Sequence, residues 1–187
     1  IDCYDISKDN CYINTIKTLY TNYYRKLKIY NRSFTETYAP DNYYNHIISE
    51  DAFIHIDDKN ELFKEIKRVL KQHGLLIFSD IIRTENANKN DIDEVSNRIG
   101  VSNIISDKEY RILANENGFK LANEIEYKED MLKHYKNIKI IAEKKLNKNY
   151  KDNTTDYKSI ILGLTNWIKH IELGNITIKI YIFQNYN

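Results

Sequence analysis

The sequence predicts an α/β fold in which helices cover both faces of a mostly parallel sheet. Two observations carry this prediction. Residues 45–80 follow the order apolar strand, polar turn, amphipathic helix and second apolar strand, which is typical of one right-handed β-α-β unit. The closing segment ITIKIYIF (176–183) is rich in β-branched residues and indicates a final strand. At 187 residues the chain is long enough for a single domain with one core.

The strand that opens the central unit ends at Ile47 and Ile48, and the polar residues Ser49, Glu50 and Asp51 follow it directly. Ligands of parallel sheets bind beyond the carboxyl ends of the strands. This polar cluster is therefore the first candidate for a binding site.

An amphipathic helix follows, and Asp58 with Glu61 predicts its first turn as a capping box. Its buried face is predicted from the apolar residues at helical spacing, which are Leu62, Ile66, Val69 and Leu70. Gly74 is predicted to end the helix. The strand 75–80 comes next, is apolar enough to be covered on both faces, and ends in Asp80 at the same edge of the sheet.

The remaining elements are predicted from the same signals. Strands are expected at 1–7, 27–30 and 119–129, and helices at 8–24 and 131–147. Ser106 with Glu109 predicts the start of a further helix that Gly118 ends. Gly174 is expected to end a helix whose apolar face is formed by Ile160, Leu164, Trp167 and Ile171. The polar residues 82–106 are predicted as a lid or insertion beside the site, and residues 144–156 as a polar connection.

Composition argues against several classes of partner. Lys and Arg number 28 against 27 Asp and Glu, so nothing favours a nucleic acid or an anionic membrane surface. No apolar run is long enough to span a bilayer. Cys3 and Cys11 are interpreted as two reduced thiols, so a cytoplasmic protein is expected. The five histidines are scattered and no metal site is expected. Because the first residue is Ile1 and not Met, we expect the numbering to start inside a longer protein.

Several segments resemble a known family. DAFIHIDDKNELFKEIKRVLK (51–71) followed by GLLIFSD (74–80) is similar to the region around the fourth and fifth strands of class I S-adenosylmethionine-dependent methyltransferases. The nearest resemblance is to sarcosine/dimethylglycine N-methyltransferases, and it extends through HYKNI (134–138) to the tail GLTNWIKHIELGNITIKIYIF (163–183). Gln72 and His73 stand where the family usually has a proline and a first glycine. The resemblance implies a Rossmann-like three-layer α/β/α sandwich with an antiparallel final strand.

The resemblance also implies S-adenosylmethionine as the cofactor and assigns residues to it. Asp5 would accept hydrogen bonds from the two ribose hydroxyls, with Ile6 packed on the adenine ring. Ser33 and Phe34 would lie along the adenine edge, and the cluster 49–51 near the methionine amine. Two alternatives stay open: Asp5 caps the helix that follows it, and Phe34 belongs to the core.

The family's glycine-rich turn after its first strand has no counterpart in this sequence. The five glycines are Gly74, Gly100, Gly118, Gly163 and Gly174, and none follows a leading strand. The resemblance places the absent strand before Ile1, at the centre of the sheet between 1–5 and 45–49, so two strand edges should be unpaired. We therefore interpret residues 1–187 as a single methyltransferase domain lacking its amino-terminal glycine-rich motif, and expect weak cofactor binding or none.

Transfer of a methyl group to an amine requires an unprotonated nitrogen, in line with the S–CH₃ bond and screened from water. Aromatic rings suit both the cationic cofactor and a quaternary ammonium product. Tyr110 and Tyr135 are the candidates, whereas Trp167 sits on an apolar helix face and is more simply explained as core. His134 could position the substrate or accept a proton, although a lone histidine on a helix is more often structural.

The resulting hypothesis is an N-methyltransferase for a small amine such as sarcosine or dimethylglycine, as in glycine betaine synthesis. The small amine is the expected partner, and the oligomeric state stays open. Two alternatives remain, because fold does not fix substrate. One is a methyltransferase for another small acceptor, such as a phosphobase or a sterol, and the other is a catalytically silent remnant.

Overall fold

The computed structural model describes residues 1–23, 25–147 and 156–186. The strands are β1 (Asp2–Asp5), β2 (Lys28–Asn31), β3 (Tyr44–Glu50), β4 (Leu70–Arg83), β5 (Phe119–Glu126) and β6 (Ile176–Asn185). The helices are α1 (Lys8–Leu19), α2 (Lys59–Val69), α3 (Lys89–Ile99), α4 (Asp107–Glu116), α5 (Lys128–Asn147) and α6 (Tyr157–Glu172), with a short 3₁₀ turn at Phe53–His55.

The described strands form two sheets. β1 and β2 pair in parallel as a two-stranded sheet, and the larger sheet has the order β3-β4-β6-β5. β3 and β4 are parallel, whereas β6 is antiparallel to both of its neighbours. The predicted α/β fold with an antiparallel final strand is confirmed.

β1 and β3 each keep one edge without a strand partner in the part of the chain that the structure describes. Side chains connect the two strands instead. The Tyr44 hydroxyl lies 2.8 Å from Asp2 Oδ2 and 2.7 Å from the hydroxyl of Tyr4. These open edges are consistent with the expected position of an absent first strand, which stays a prediction.

α2 and α4 cover one face of the larger sheet. Asp58 begins α2 by accepting a hydrogen bond from the Glu61 amide at 2.8 Å, and Ser106 begins α4 with a complete capping box. The core on this face is formed by apolar and aromatic residues that include Leu62, Phe63 and Ile66 of α2, Tyr110 and Ala114 of α4, and Phe78, Tyr181 and Phe183 of the strands.

α3, α5 and α6 contribute to a second core. Its buried members include Ile92 and Val95 of α3, Met131 of α5, Trp167 and Ile171 of α6, Ile81 of β4 and Ile176 of β6. Ile82 belongs to the first cluster and Ile81 to the second, as expected when successive side chains of a strand point to opposite faces. The two clusters therefore lie on opposite faces of the larger sheet. None of the described helices is long and apolar enough to cross a membrane.

Residues 82–106 are better packed than their polar composition predicted. β4 continues to Arg83, and α3 starts at an Asn88 capping box. Val95 and Ile104 are 0% exposed, so this segment belongs partly to the core. The polar composition of the segment did not indicate this burial, because only one face of a short helix must be apolar. Its role as a lid stays a prediction.

The predicted helix stop at Gly74 is wrong. α2 ends at Val69 and the chain continues directly into β4, so Gly74 lies inside a strand. A glycine that ends a helix usually has a positive φ, but here the positive φ of 62° belongs to His73. A Cβ on Gly74 would lie 2.8 Å from the backbone oxygens of Asn45 and Lys71. Glycine is therefore needed for the close approach of β3.

The amino-terminal helix has few apolar partners. α1 ends at Leu19, earlier than the predicted end at residue 24, which lies outside the described residues. Cys11 is its buried residue, whereas Ile13, Ile16 and Leu19 are 46%, 38% and 57% exposed. The predicted connection 144–156 also lies mostly outside the described residues.

Candidate functional site

β3 ends at Glu50, whereas the neighbouring strand β4 continues past this point to Arg83. Glu50 is paired in register with Ser79, and the exposed Asp51 follows in the left-handed region with a φ of 48°. The Asp51 amide donates to Ser79 O at 3.1 Å, and the Ser79 hydroxyl donates to Asp51 Oδ1 at 2.7 Å. Ser79 thus fixes an acidic residue in a conformation that non-glycine residues rarely adopt.

Asp80 lies one residue further along β4 and is 1% exposed. The hydroxyl of Tyr110 donates to Asp80 Oδ2, whereas Asp80 Oδ1 is buried without a hydrogen-bond partner among the described residues. Burial raises the pKa of Asp80 to about 7, although the bond from Tyr110, the charge of Lys59 and the backbone amide of Ile81 act in the opposite direction. A buried carboxyl group with a raised pKa therefore lies inside β4, one residue beyond the position that pairs with the end of β3.

Lys59 is the nearby cation that sequence reasoning missed. It is 9% exposed, and its Nζ donates to Ile56 O at 2.8 Å. Burial lowers its pKa, while the charges of Asp80 and Asp57 oppose that shift. The sequence did not indicate that Lys59 is buried, because it is the first residue of a capped helix, where a lysine side chain is usually solvated. The acid at the end of the FSD segment was visible in the sequence, but its burial was not.

The residues assigned to the ribose and adenine lie at the carboxyl ends of β1 and β2. Asp5 accepts hydrogen bonds from the Ser7 amide at 2.8 Å and from Asn10 Nδ2 at 3.0 Å, so it stabilises the start of α1. The side chain of Ile6 is 76% exposed and free to pack against a flat ring. The Ser33 hydroxyl bonds to that of Thr35 at 2.8 Å.

Phe34 is half-buried and packs against the first core cluster, which favours the core alternative. Asn31 Nδ2 donates to the backbone oxygens of Asp5 and Ile6 at 3.0 and 2.8 Å. β2 therefore fixes the turn after β1 through a side chain that the sequence did not single out.

The predicted catalytic residues are not brought together. Tyr110 is 0% exposed in the first cluster, and its pKa is raised well above the usual value by burial and by the charge of Asp80. Tyr135 packs against the second cluster, with its ring centroid 5.1 Å from that of Trp167. His134 is exposed beside it. Trp167 is 1% exposed, as its interpretation as core required.

A family model described as a methyltransferase domain matches residues 2–78. The chain is 24% identical over 144 residues to the glycine/sarcosine/dimethylglycine N-methyltransferase of Actinopolyspora halophila, in a match that covers 76% of this chain and 26% of that protein. It is 25% identical over 144 residues to the sarcosine/dimethylglycine N-methyltransferase of Aphanothece halophytica, covering 76% of this chain and 52% of the relative. The match thus spans only about a quarter to a half of these relatives' length.

Solved structures agree with this fold over the whole chain. A candidate sarcosine dimethylglycine methyltransferase from Galdieria sulphuraria superposes with a TM-score of 0.91 and 26% identity, covering 100% of this chain and 69% of that one. A geranyl diphosphate methyltransferase in complex with SAM gives a TM-score of 0.79 at 10% identity, covering 98% and 68%. The second likeness shows the fold alone.

Proposed function

We propose that this chain, which is a class I S-adenosylmethionine-dependent methyltransferase domain by sequence and fold, belongs to an N-methyltransferase that acts on a small amine such as sarcosine or dimethylglycine. The observation that carries the proposal is the agreement over the full chain with the Galdieria structure, together with two curated relatives that bear the same activity in their names.

The residues present fit the cofactor at the edge where β1, β2 and β3 end. Asp5 and the exposed Ile6 supply an acceptor and an apolar surface for the ribose and adenine. Ser33 would contact the adenine edge, and the cluster Ser49–Asp51 supplies negative charge for the methionine amine. Each of these assignments is part of the proposal.

The open edges of β1 and β3 indicate that the cofactor site lacks one strand in the described part of the chain. Unpaired ladder groups on both strands leave backbone donors and acceptors for one further strand between them. We propose that a strand from outside residues 1–187 occupies this interval and carries a glycine-rich turn that approaches the cofactor. Without it, residues 1–187 would be a catalytically silent remnant.

Methyl transfer to an amine requires no covalent intermediate with the protein. S-adenosylmethionine supplies the methyl group when bound. The chain's own residues then have to hold the amine unprotonated, orient it and exclude water. The buried Asp80 of β4 and the Tyr110 hydroxyl that donates to it meet these needs better than an exposed His134.

The test is a methyl-transfer assay on the full-length protein with sarcosine, dimethylglycine, phosphoethanolamine and a sterol as acceptors. We expect S-adenosylhomocysteine to form with the two glycine derivatives and not with the others. If phosphoethanolamine alone is methylated, the proposed acceptor is wrong and the protein acts on a phosphobase. Residues 1–187 serve as the comparison, and turnover by this segment equal to that of the full-length protein would overturn the proposed extra strand.

A further inference from the structure

The Asp80 carboxyl group is buried and titratable, and its structural contacts account for only one of its two oxygen atoms. Oδ2 accepts from Tyr110, but Oδ1 has no hydrogen-bond partner in the described part of the chain. Leaving a buried acceptor unsatisfied costs about 1–3 kcal/mol, so such groups usually have a reason to be kept.

The charged groups around Asp80 do not satisfy it. Lys59 is close enough to lower the pKa of Asp80, yet its Nζ is hydrogen-bonded to Ile56 O. Lys179 stands opposite Asp80 in the register of β4 and β6, but it pairs with Asp107 at 3.2 Å and Glu124 at 3.7 Å. Asp51 adds a negative charge that raises the pKa of Asp80 slightly further.

Aromatic rings pack against Tyr110, whose hydroxyl donates to Asp80. The Tyr110 ring centroid lies 5.2 Å from that of Phe78 and 5.6 Å from that of Tyr181. Ring faces attract methylated ammonium groups, and an acid beside them attracts any cation. This combination, with one carboxylate oxygen free to accept, suits a protonated secondary or tertiary amine.

We propose that Asp80 binds the amine nitrogen of the methyl acceptor through Oδ1 and removes its proton. The inference rests on the proposed function and adds a catalytic residue to it. The ammonium N–H bond breaks, its proton moves to Asp80 Oδ1, and the nitrogen keeps the electron pair. That pair forms the new C–N bond as the S–CH₃ bond breaks and its electrons stay on sulfur. Asp80 afterwards releases the proton to solvent.

Two features of the site are consistent with these steps. A pKa of about 7 lets Asp80 be ionised to receive the amine and yet hold a proton after the transfer. Tyr110 holds the other oxygen, which leaves Oδ1 as the accepting atom. Because Asp80 is 1% exposed, the acceptor can enter only when the surrounding side chains move apart.

The test compares Asp80→Asn with the full-length wild type by calorimetric binding of dimethylglycine in the presence of S-adenosylhomocysteine. Asparagine keeps the shape and can still accept from Tyr110, but it has no charge. At about pH 8 we expect binding to weaken by about 10-fold or more, as for loss of a hydrogen bond to a charged group. Wild-type affinity should fall as the pH drops through about 7, whereas the variant should show no such change.

Two further variants separate this role from a structural one. Tyr110→Phe removes the bond that favours the ionised carboxylate, so the midpoint of the pH dependence should move upwards. Asp130→Asn, at an exposed acid in the first turn of α5, should leave affinity and pH dependence unchanged. Thermal unfolding of each variant verifies that it is folded.

The outcomes distinguish the two proposals. If Asp80→Asn binds and methylates dimethylglycine as the wild type does, Asp80 is not the acceptor's partner and the proposed function stands. If the wild type binds only phosphoethanolamine and Asp80→Asn abolishes that binding, the acceptor class is wrong and the role of Asp80 stands. A wild type that binds no amine at any pH overturns both.

Discussion

The hydroxyl of Tyr44 donates a hydrogen bond to Asp2 Oδ2 at 2.8 Å, across the interval between β3 and β1. Because this donation uses the single proton of Tyr44, the hydroxyl of Tyr4 must donate to Tyr44 at 2.7 Å. A chain of three side chains thus connects two sheets whose facing edges share no backbone ladder in the described residues.

Replacing Tyr44 by Phe should loosen the amino-terminal unit. The change removes both the donor to Asp2 and the acceptor for Tyr4, at a cost of about 1–3 kcal/mol. Native-state hydrogen exchange should show faster exchange in β1 and β2, while β4 and β6 stay protected. Tyr43→Phe, at the exposed neighbouring ring, is the control. Equal protection of β1 in wild type and Tyr44→Phe would show that the contact contributes nothing.

Asp5→Ala should weaken S-adenosylmethionine binding to the full-length protein by roughly 1.5–3 kcal/mol, as for lost hydrogen bonds to a charged group. Calorimetry measures the effect. Asn10→Ala is the matched control, because it removes a local partner of Asp5 and leaves the carboxylate in place. If both variants lose affinity equally, Asp5 acts only by stabilising the turn before α1.

Gly74→Ala should destabilise the protein by about 1–3 kcal/mol, since its Cβ would meet two backbone oxygens at 2.8 Å and neither can turn aside. Gly100→Ala is the contrasting variant. Gly100 has a φ of 67°, and a Cβ added there would meet none of the described atoms within 4 Å, so it tests conformational strain alone, at about 1 kcal/mol. Urea denaturation measures both, and a stable Gly74→Ala would show that β3 can move away.

Asp80 should make stability depend on pH. Its folded pKa of about 7 is raised above the ordinary value of 3.8, so the folded state binds the proton more tightly than the unfolded state. The stabilisation is complete below about pH 4 and is lost as the pH rises to about 7, by at most roughly 4 kcal/mol. Denaturation at several pH values should show this loss in the wild type and its absence in Asp80→Asn. A parallel loss in the variant would assign the effect to other groups.

Much of the fold followed from local signals. Apolar spacing located the helix that carries Leu62 and Ile66, and Ser106 marked the start of α4, because capping and amphipathicity are properties of short segments. The prediction for Gly74 is wrong for the same reason. Whether a glycine ends a helix or lets two backbones approach depends on where Asn45 lies, which local sequence does not state.

The candidate site was less accessible to sequence reasoning. The acids at the strand ends were predictable, since parallel strands place their carboxyl ends at one edge. The free oxygen of Asp80, its bond from Tyr110 and the burial of Lys59 depend on helices packed over that edge. Tyr110 and Tyr135 looked equivalent as aromatic candidates, yet they belong to opposite faces of the sheet.

The division between the two sheets has a consequence for synthesis on the ribosome. The segment β1-α1-β2 emerges before the strands of the larger sheet, and α1 keeps Ile13 and Leu19 exposed. Tyr44, which links β1 to β3 through Asp2, comes later in the chain. The larger sheet cannot close until β6 emerges, because β6 lies between β4 and β5. The nascent segment must therefore wait for β6, and during that wait its apolar side chains are the ones on which a chaperone would act.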